Sequence, residues 1–237
     1  QGVERNETAI ANYLDWRAQN QSFEEVALYS WWNANLSGID PPERVQGYVV
    51  TTNLLNTLKA RPALGRDFAP EEAEPGKDHV IILSYGLWQR RFGGDPEIIN
   101  QTLTVNGIAR TIIGVMPEGY QFPKGVDVLA PFAFTPQQEG NRQGHGSLTI
   151  ARLKDGVTLA QAQADMDAIA ARLEQQYPKT NTGRGVAVFT LLDDTVRIYR
   201  ALLLITLLAV GFVLLIACAN VANLMMARAA GASCGSC

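Results

Sequence analysis

The sharpest pattern of apolar and polar positions lies between residues 147 and 177. Ser147–Lys154 reads as a strand, with Leu148 and Ile150 alternating and Ala151 and Leu153 continuing more weakly. Asp155-Gly156 reads as a turn. Thr158 and Gln161 have the spacing of a capping box, in which each side chain satisfies the other's backbone N–H. Leu159, Ala162, Met166, Ile169, Leu173 and Tyr177 then recur every three or four positions, as on one face of a helix of about five turns. Pro178 stops that helix. Gly185–Leu192 is expected to be a second strand, which makes strand, helix and strand a βαβ-like unit packed on a sheet.

Upstream the pattern is shorter in period. Residues 8–20 place Ile10, Tyr13, Leu14 and Trp16 at mostly helical spacing, with Thr8 as the expected cap. Residues 24–38 and 43–50 read as strands around Asp40-Pro-Pro42. A short helix is expected at 51–59, a polar loop from Gly65 to Lys77, a buried strand at Val80–Leu83 and a short helix at 84–92. Strands at 101–106 and 108–115 meet at Asn106-Gly107, a strong hairpin signal. Residues 131–146 read as a loop. The helix and strand of residues 8–38 would form a second βαβ-like half if a strand preceded them. The architecture expected is therefore two such halves interrupted by an insertion at 51–146.

From residue 201 the alternation disappears. Residues 201–219 read ALLLITLLAVGFVLLIACA, and the uncharged run continues to Ala227. A bilayer core of ~30 Å needs ~20 apolar helical residues, so this run spans with tilt. A buried helix of a soluble core would be shorter and would carry a polar stripe. Asn220 and Asn223 share one face near its end. They fit either a bond to a neighbouring membrane helix or a place at the interface.

The segregation changes what the averages mean. The chain has 237 residues, 47% hydrophobic and 18% charged, with net charge −3 and mean hydropathy −0.02. The hydrophobic share excludes a disordered chain, and the charge excludes a dedicated nucleic-acid binder. All charged side chains but Arg228 lie in residues 1–200. The chain thus joins a soluble-looking part to an apolar one. Residue 1 is Gln, and Glu4, Arg5, Glu7, Asp15 and Arg17 exclude a secretory signal in residues 1–20. The sequence is expected to begin inside a longer protein or to have been processed. Arg184, Arg197 and Arg200 precede the apolar run and only Arg228 follows it. A positive-inside count would put the large part in the cytoplasm, though that rule is weak for long domains.

Candidate chemistry is sparse. No G-x-x-x-x-G-K-[ST] phosphate loop occurs. Leu36-Ser37-Gly38 lacks the partners of a nucleotide-hydrolase signature, and Gly144-His145-Gly146 precedes a strand rather than following one. His79 and His145 stand far from any cysteine, so no zinc-ligand spacing exists. Glu71, Glu72 and Glu74, and Asp193-Asp194, read as solvated acidic segments. The cysteines are Cys218, Cys234 and Cys237, so the soluble part has no disulfide framework. Cys234-Gly-Ser-Cys237 lacks the strand and helix of a redox motif and is expected to belong to a tail. N-x-[ST] matches occur at Asn6, Asn20, Asn35 and Asn100 and matter only in a glycosylating host. Trp16, Trp88, Tyr85 and Phe92 are core candidates. Trp31-Trp32 differs, because adjacent strand residues face opposite sides. These two are the candidate partner or substrate contact. Neither a catalytic residue, a metal ligand nor a cofactor-binding residue is expected.

Several longer motifs carry a family resemblance. GRDF (65–68), VIILSYGLWQRRFGGDP (80–96), VNGIARTIIGVMPEGYQFP (105–123) and ARLKDGVTLAQAQAD (151–165) resemble the periplasmic core domain of MacB-type ABC transporter permeases. LLLITLLAVGFVLLIACANVANLMMARAA (202–230) resembles the first helix of the FtsX-like permease domain that follows it. The type most similar is the orphan or duplicated permease that lacks a fused ATPase.

The resemblance implies an α+β fold: a porter-like domain of two βαβ-type units with an inserted mixed α/β subdomain, followed by one transmembrane helix. Residues 1–196 would be periplasmic, with porter-like parts at about 1–50 and 147–196 and the insertion at about 51–146. The membrane helix would occupy 197–230 and a tail 231–237. The family has one membrane helix before this domain and three after it, in the bacterial inner membrane. The implied function is to couple the motions of an ATPase to efflux or extrusion of a substrate. The implied partners are a nucleotide-binding ATPase subunit, a second permease copy, a periplasmic adaptor protein and the lipid bilayer, with no nucleic acid and no cofactor. ATP hydrolysis would occur on the partner, not on this chain. In that topology an upstream helix sets the orientation and the positive-inside count is misleading. Gly65, Phe68, Trp88, Phe92, Gly93, Gly94, Asp95, Gly114, Pro117 and Pro123 would then serve the fold. The alternative is a membrane-tethered extracytoplasmic binding or sensor domain without transport activity.

Overall fold

The computed structural model describes residues 7–38 and 41–233. Asn6, Asp40 and the Cys234–Cys237 motif lie outside the described residues, as do the side chains of Arg197, Arg200, Asn223 and Arg228. Two compact units are present, one ending at Val188 and one beginning at Phe189.

The first unit is mixed α+β. In chain order it holds β1 (Thr8–Ala9), α1 (Ile10–Gln19), β2 (Phe23–Ser37), β3 (Glu43–Val50), α2 (Leu54–Leu58), β4 (Leu64–Gly65), β5 (Val80–Leu83), α3 (Tyr85–Phe92), β6 (Thr102–Val105), β7 (Ile108–Val115), β8 (Val128–Pro131), α4 (Pro136–Glu139), β9 (His145–Leu153), α5 (Leu159–Gln176) and α6 (Pro178–Asn181). Single 3-10 turns occupy Pro70–Ala73 and Pro96–Ile98.

The organising element is β2. Its first half pairs antiparallel with β9, from Phe23 opposite Leu153 to Tyr29 opposite Leu148. Its second half pairs antiparallel with β3, from Tyr29 opposite Val50 to Leu36 opposite Glu43. Its last residues, Leu36 and Ser37, pair with Val105 and Thr104 of β6. The remaining ladders run β3–β8, β8–β5, β5–β7 and β7–β6. They return to β2, so six strands close into a small barrel.

Closure splits the apolar residues by the period-two alternation of strands. Inside are Ala34, Leu36, Val45, Ile81, Leu83, Leu103, Val105, Ile112, Val115, Val128 and Ala130, with Leu87 of α3 reaching in. Outside is a second cluster of Val50, Leu54, Leu55, Phe68, Ile82, Ile113, Met116 and Leu129. The β5–β7 register shows how β7 serves both. Ile81 faces Ile112 but Ile82 faces Gly114, so Ile113 is a bulge residue. Ile112 and Val115 point into the barrel while Ile113 joins the outer cluster. Gly65 makes β4 possible: its φ is +78°, and a Cβ there would lie 2.1 Å from the Ile113 carbonyl oxygen.

A three-stranded layer, β1–β9–β2, carries α1 and α5. Their apolar faces meet in a third cluster of Ile10, Tyr13, Phe23, Val26, Leu28, Ala162, Met166, Ile169 and Leu173. The α5 cap forms as its spacing predicts: Thr158 Oγ1 accepts from Gln161 N, and Gln161 Oε1 accepts from Thr158 N. Two expectations differ, and one strand, β8, has no reading in the sequence. Thr8 belongs to β1 opposite Ser147, and Ala9 takes the cap position of α1 without a side-chain bond. β8 is a four-residue strand, buried throughout, too short to show a period. Gly185–Leu192 forms no strand: residues 184–190 are irregular and a helix begins at Leu191. Their partner is instead an α5 side chain, because the Gln163 amide donates to the Val186 carbonyl and accepts from the Val188 N–H. That amide supplies locally what a neighbouring strand would.

Single polar contacts tie the layer together. Asp165 Oδ2 of α5 accepts from the N–H groups of Gln21 and Ser22 at 2.8 and 3.0 Å. Burial raises the Asp165 carboxyl, but these hydrogen bonds outweigh it and hold the group below the usual carboxylate range. A lowered folded pKa stabilises above the ordinary carboxylate value near pH 4 and loses that contribution as pH falls through the lowered value. The stability difference between the parent chain and Asp165→Asn should therefore be constant above about pH 5 and shrink in acid. Urea unfolding in detergent, followed by tryptophan fluorescence across that range, checks this.

Candidate functional site

The barrel has two differently built ends. At one end α3 follows β5, with the Ser84 hydroxyl capping it through Leu87 N. Leu87 is buried in the interior cluster, and Trp88 and Phe92 pack against it. Arg90 and Arg91 reach Glu43 at 2.9 and 3.1 Å, and Arg90 reaches Asp127 at 3.5 Å. Such partly exposed pairs contribute little energy but fix where α3 sits. Trp88 Nε1 donates to the Asp95 carbonyl, which holds the turn after α3.

At the other end lie Trp31, Trp32 and Arg110. Strand alternation separates the two tryptophans as the sequence requires. Trp31 is 66% exposed, whereas Trp32 is half-buried against the interior cluster. Trp32 has room because its register partner is Gly47, where a Cβ would lie 2.8 Å from the indole ring. The Arg110 guanidinium carbon stands 5.3 Å from the Trp32 ring, a cation–π distance. Arg110 is 8% exposed, and burial lowers its pKa from the ordinary guanidinium value.

Trp31 sits on the outer face beside further apolar groups. Tyr48 is opposite it in register, and Tyr29 lies two residues back on the same strand. Tyr29 is 6.1 Å from Tyr48 and 5.3 Å from Phe122, ring centre to ring centre. Burial, helped by Tyr48, pushes the Tyr29 hydroxyl up to about 12. Leu148, opposite Tyr29 on β9, is 47% exposed. Trp31 and Leu148 are thus the exposed members of an aromatic and aliphatic patch. The tryptophan pair was legible from the sequence. Leu148 and Arg110 were not, because only the ladders bring them beside β2.

The remaining candidates are dispersed. His79 is exposed and offers its backbone carbonyl to Thr111 N. His145 Nδ1 lies 2.8 Å from the Glu7 carbonyl, and its Nε2 meets Arg184 Nη1. Glu72 is no solvated acid: it is buried, takes both terminal nitrogens of Arg66 and accepts from Ala69 N. Among the described residues no three His, Cys, Asp or Glu side chains group as a metal site.

The second unit is dominated by α7 (Leu191–Ser233). Within it Leu203–Ala222 has mean hydropathy 2.6 and none of its surface is buried. Twenty helical residues span about 30 Å, the thickness of a bilayer core. Its leucines, isoleucines and phenylalanine would be untenable in water as a bare surface and are at home in lipid.

The described chain thus joins a mixed α+β barrel and layer to an apolar helix of spanning length. The model of the MacB-like periplasmic core domain matches residues 3–169, and the chain belongs to that family, of the ABC transporter permease type. Solved structures share the fold. The periplasmic region of MacB from Actinobacillus actinomycetemcomitans is 14% identical, with TM-score 0.54, covering 76% of this chain and 78% of that one. A permease-protein domain from Porphyromonas gingivalis is 14% identical with TM-score 0.59, covering 82% and 92%. The extracellular domain of the noncanonic ABC-type transporter YknZ from Gram-positive bacteria is 13% identical with TM-score 0.55, covering 73% and 85%. No functionally curated protein matches the chain.

The two tryptophans should respond oppositely to truncation. Trp31→Ser should leave stability within about 0.5 kcal/mol, as for other exposed positions. Trp32→Ala should cost about 2–4 kcal/mol through the cavity it leaves. Denaturant midpoints of the two variants check this.

Proposed function

We propose that the chain forms part of an ABC transporter permease of the bacterial inner membrane, with residues 1–196 in the periplasm. The domain couples the motions of a separate nucleotide-binding ATPase subunit to efflux or extrusion of a substrate. It acts beside a second permease copy and engages a periplasmic adaptor. The porter-like parts are residues 1–50 and 147–196, the insertion is 51–146, and the membrane helix is 197–230. Trp31 is the partner or substrate contact in this reading, and Trp32 supports it from inside the barrel. The observation that carries the proposal is the family match over residues 3–169, followed by an unburied helix of spanning length at Leu203–Ala222. A tethered sensor would share the fold but not the coupling.

The test is co-reconstitution of the permease and its ATPase in proteoliposomes. ATP turnover should depend on the permease and fall severalfold when residues 8–188 are deleted. Turnover indifferent to that deletion would favour the sensor reading.

A further inference from the structure

Arg110 is a buried cation with no ion-pair partner among the described residues. It lies on β7 opposite Leu103 of β6, and both side chains face the barrel interior. Nη1 donates to the Asp78 carbonyl at 2.6 Å. Nε is buried without a hydrogen-bond partner. Among the described residues no carboxylate comes within ion-pair distance of it. Asp78 is the carboxylate that acts on it electrostatically, and it accepts instead from Gly76 N at 3.1 Å.

This arrangement is unfavourable for the fold alone. A buried guanidinium with an unmet Nε–H costs free energy, and an apolar side chain of similar length would pack against Trp32 without that cost. The opposite end of the barrel is closed differently: its two arginines face Glu43 and Asp127. At the Trp32 end no carboxylate among the described residues pairs directly with the cation, and Asp78 acts on it only from a distance. A guanidinium offers planar paired donors that suit a carboxylate or phosphate. The Trp32 indole stands 5.3 Å from the guanidinium carbon, near enough to hold it by a cation–π contact.

We propose that the Trp32–Arg110 end of the barrel is a binding site for a small ligand bearing an oxyanion group, a carboxylate or a phosphate. Arg110 supplies the charge and donors, and Trp32 orients it. The site is distinct from the outward patch around Trp31, and it stands whether or not that patch is a contact.

The full chain in detergent, labelled with 5-fluorotryptophan, gives four fluorine resonances that single Trp→Phe variants assign. Inorganic phosphate and, separately, acetate are titrated at constant ionic strength balanced with chloride. The Trp32 resonance should shift saturably with one of them below about 10 mM, with Trp16 and Trp88 unmoved. The more effective anion assigns the group as phosphate or carboxylate. Arg110→Met, which keeps the aliphatic stem, should abolish the shift, and Arg110→Lys should retain a weaker one. The unperturbed resonances of Trp16 and Trp88 report whether each variant is folded; if Arg110→Met is not, Arg110→Lys alone decides. A shift that stays linear, that moves all tryptophans alike, or that persists at full strength without the guanidinium would overturn the proposal.

Discussion

Everything in the first unit depends on one strand serving three partners. β2 runs for fifteen residues, well beyond the usual five or six. Its backbone is the edge on which β9 builds the layer, the wall from which β3 starts the barrel and the seam where β6 closes it. A strand is stiff only while its ladder bonds are kept, and here the ladders on its two sides succeed one another along its length. The gap between the β9 and β6 ladders is bridged by a side chain. Asn106 accepts from Asn35 N and donates to the Asn33 carbonyl, which keeps those backbone groups satisfied where no neighbouring strand exists.

The consequence for function follows from that geometry. In the proposed coupling role, a domain that passes force between partners must not dissipate it internally. A layer and a barrel joined by a loop would flex at the loop, whereas here they share a continuous strand. The barrel is also filled on both faces, inside by one cluster and outside by another, so it resists compression as a packed core does. The exposed Trp31 and the buried Arg110 therefore both sit on a rigid support. Binding residues are more precise on such a support than on loops.

Much of this was legible in the sequence, for reasons that name particular residues. The Thr158–Gln161 box and the three-four spacing behind it specify α5 because capping and helical burial are local effects. Asn106-Gly107 specifies the β6–β7 hairpin because both residues adopt positive φ there. The long motifs carried the family in part because positions such as Gly65, with its positive φ and close approach to Ile113, satisfy a constraint that few residues can. What stayed hidden was non-local. Barrel closure needs Leu36 to meet Val105, some seventy residues apart, and no period announces that pairing. The Ile113 bulge is invisible in a run of consecutive apolar residues. Residues 184–190 have strand-like composition, but their partner is the Gln163 side chain, and composition cannot distinguish the two. Arg110 carries no local signal of burial, and only its register against Leu103 turns it inward.

The central claim is that β2 makes layer and barrel one mechanical body. Native-state hydrogen exchange on the full chain in detergent tests it most directly, by comparing β2 amides before Trp31, such as Ala27, with those after it, such as Ala34. The account predicts that both exchange only through the same cooperative opening, with free energies equal within about 0.5 kcal/mol. Opening of the layer-side amides by a separate, cheaper event, with the barrel-side amides still protected, would contradict it.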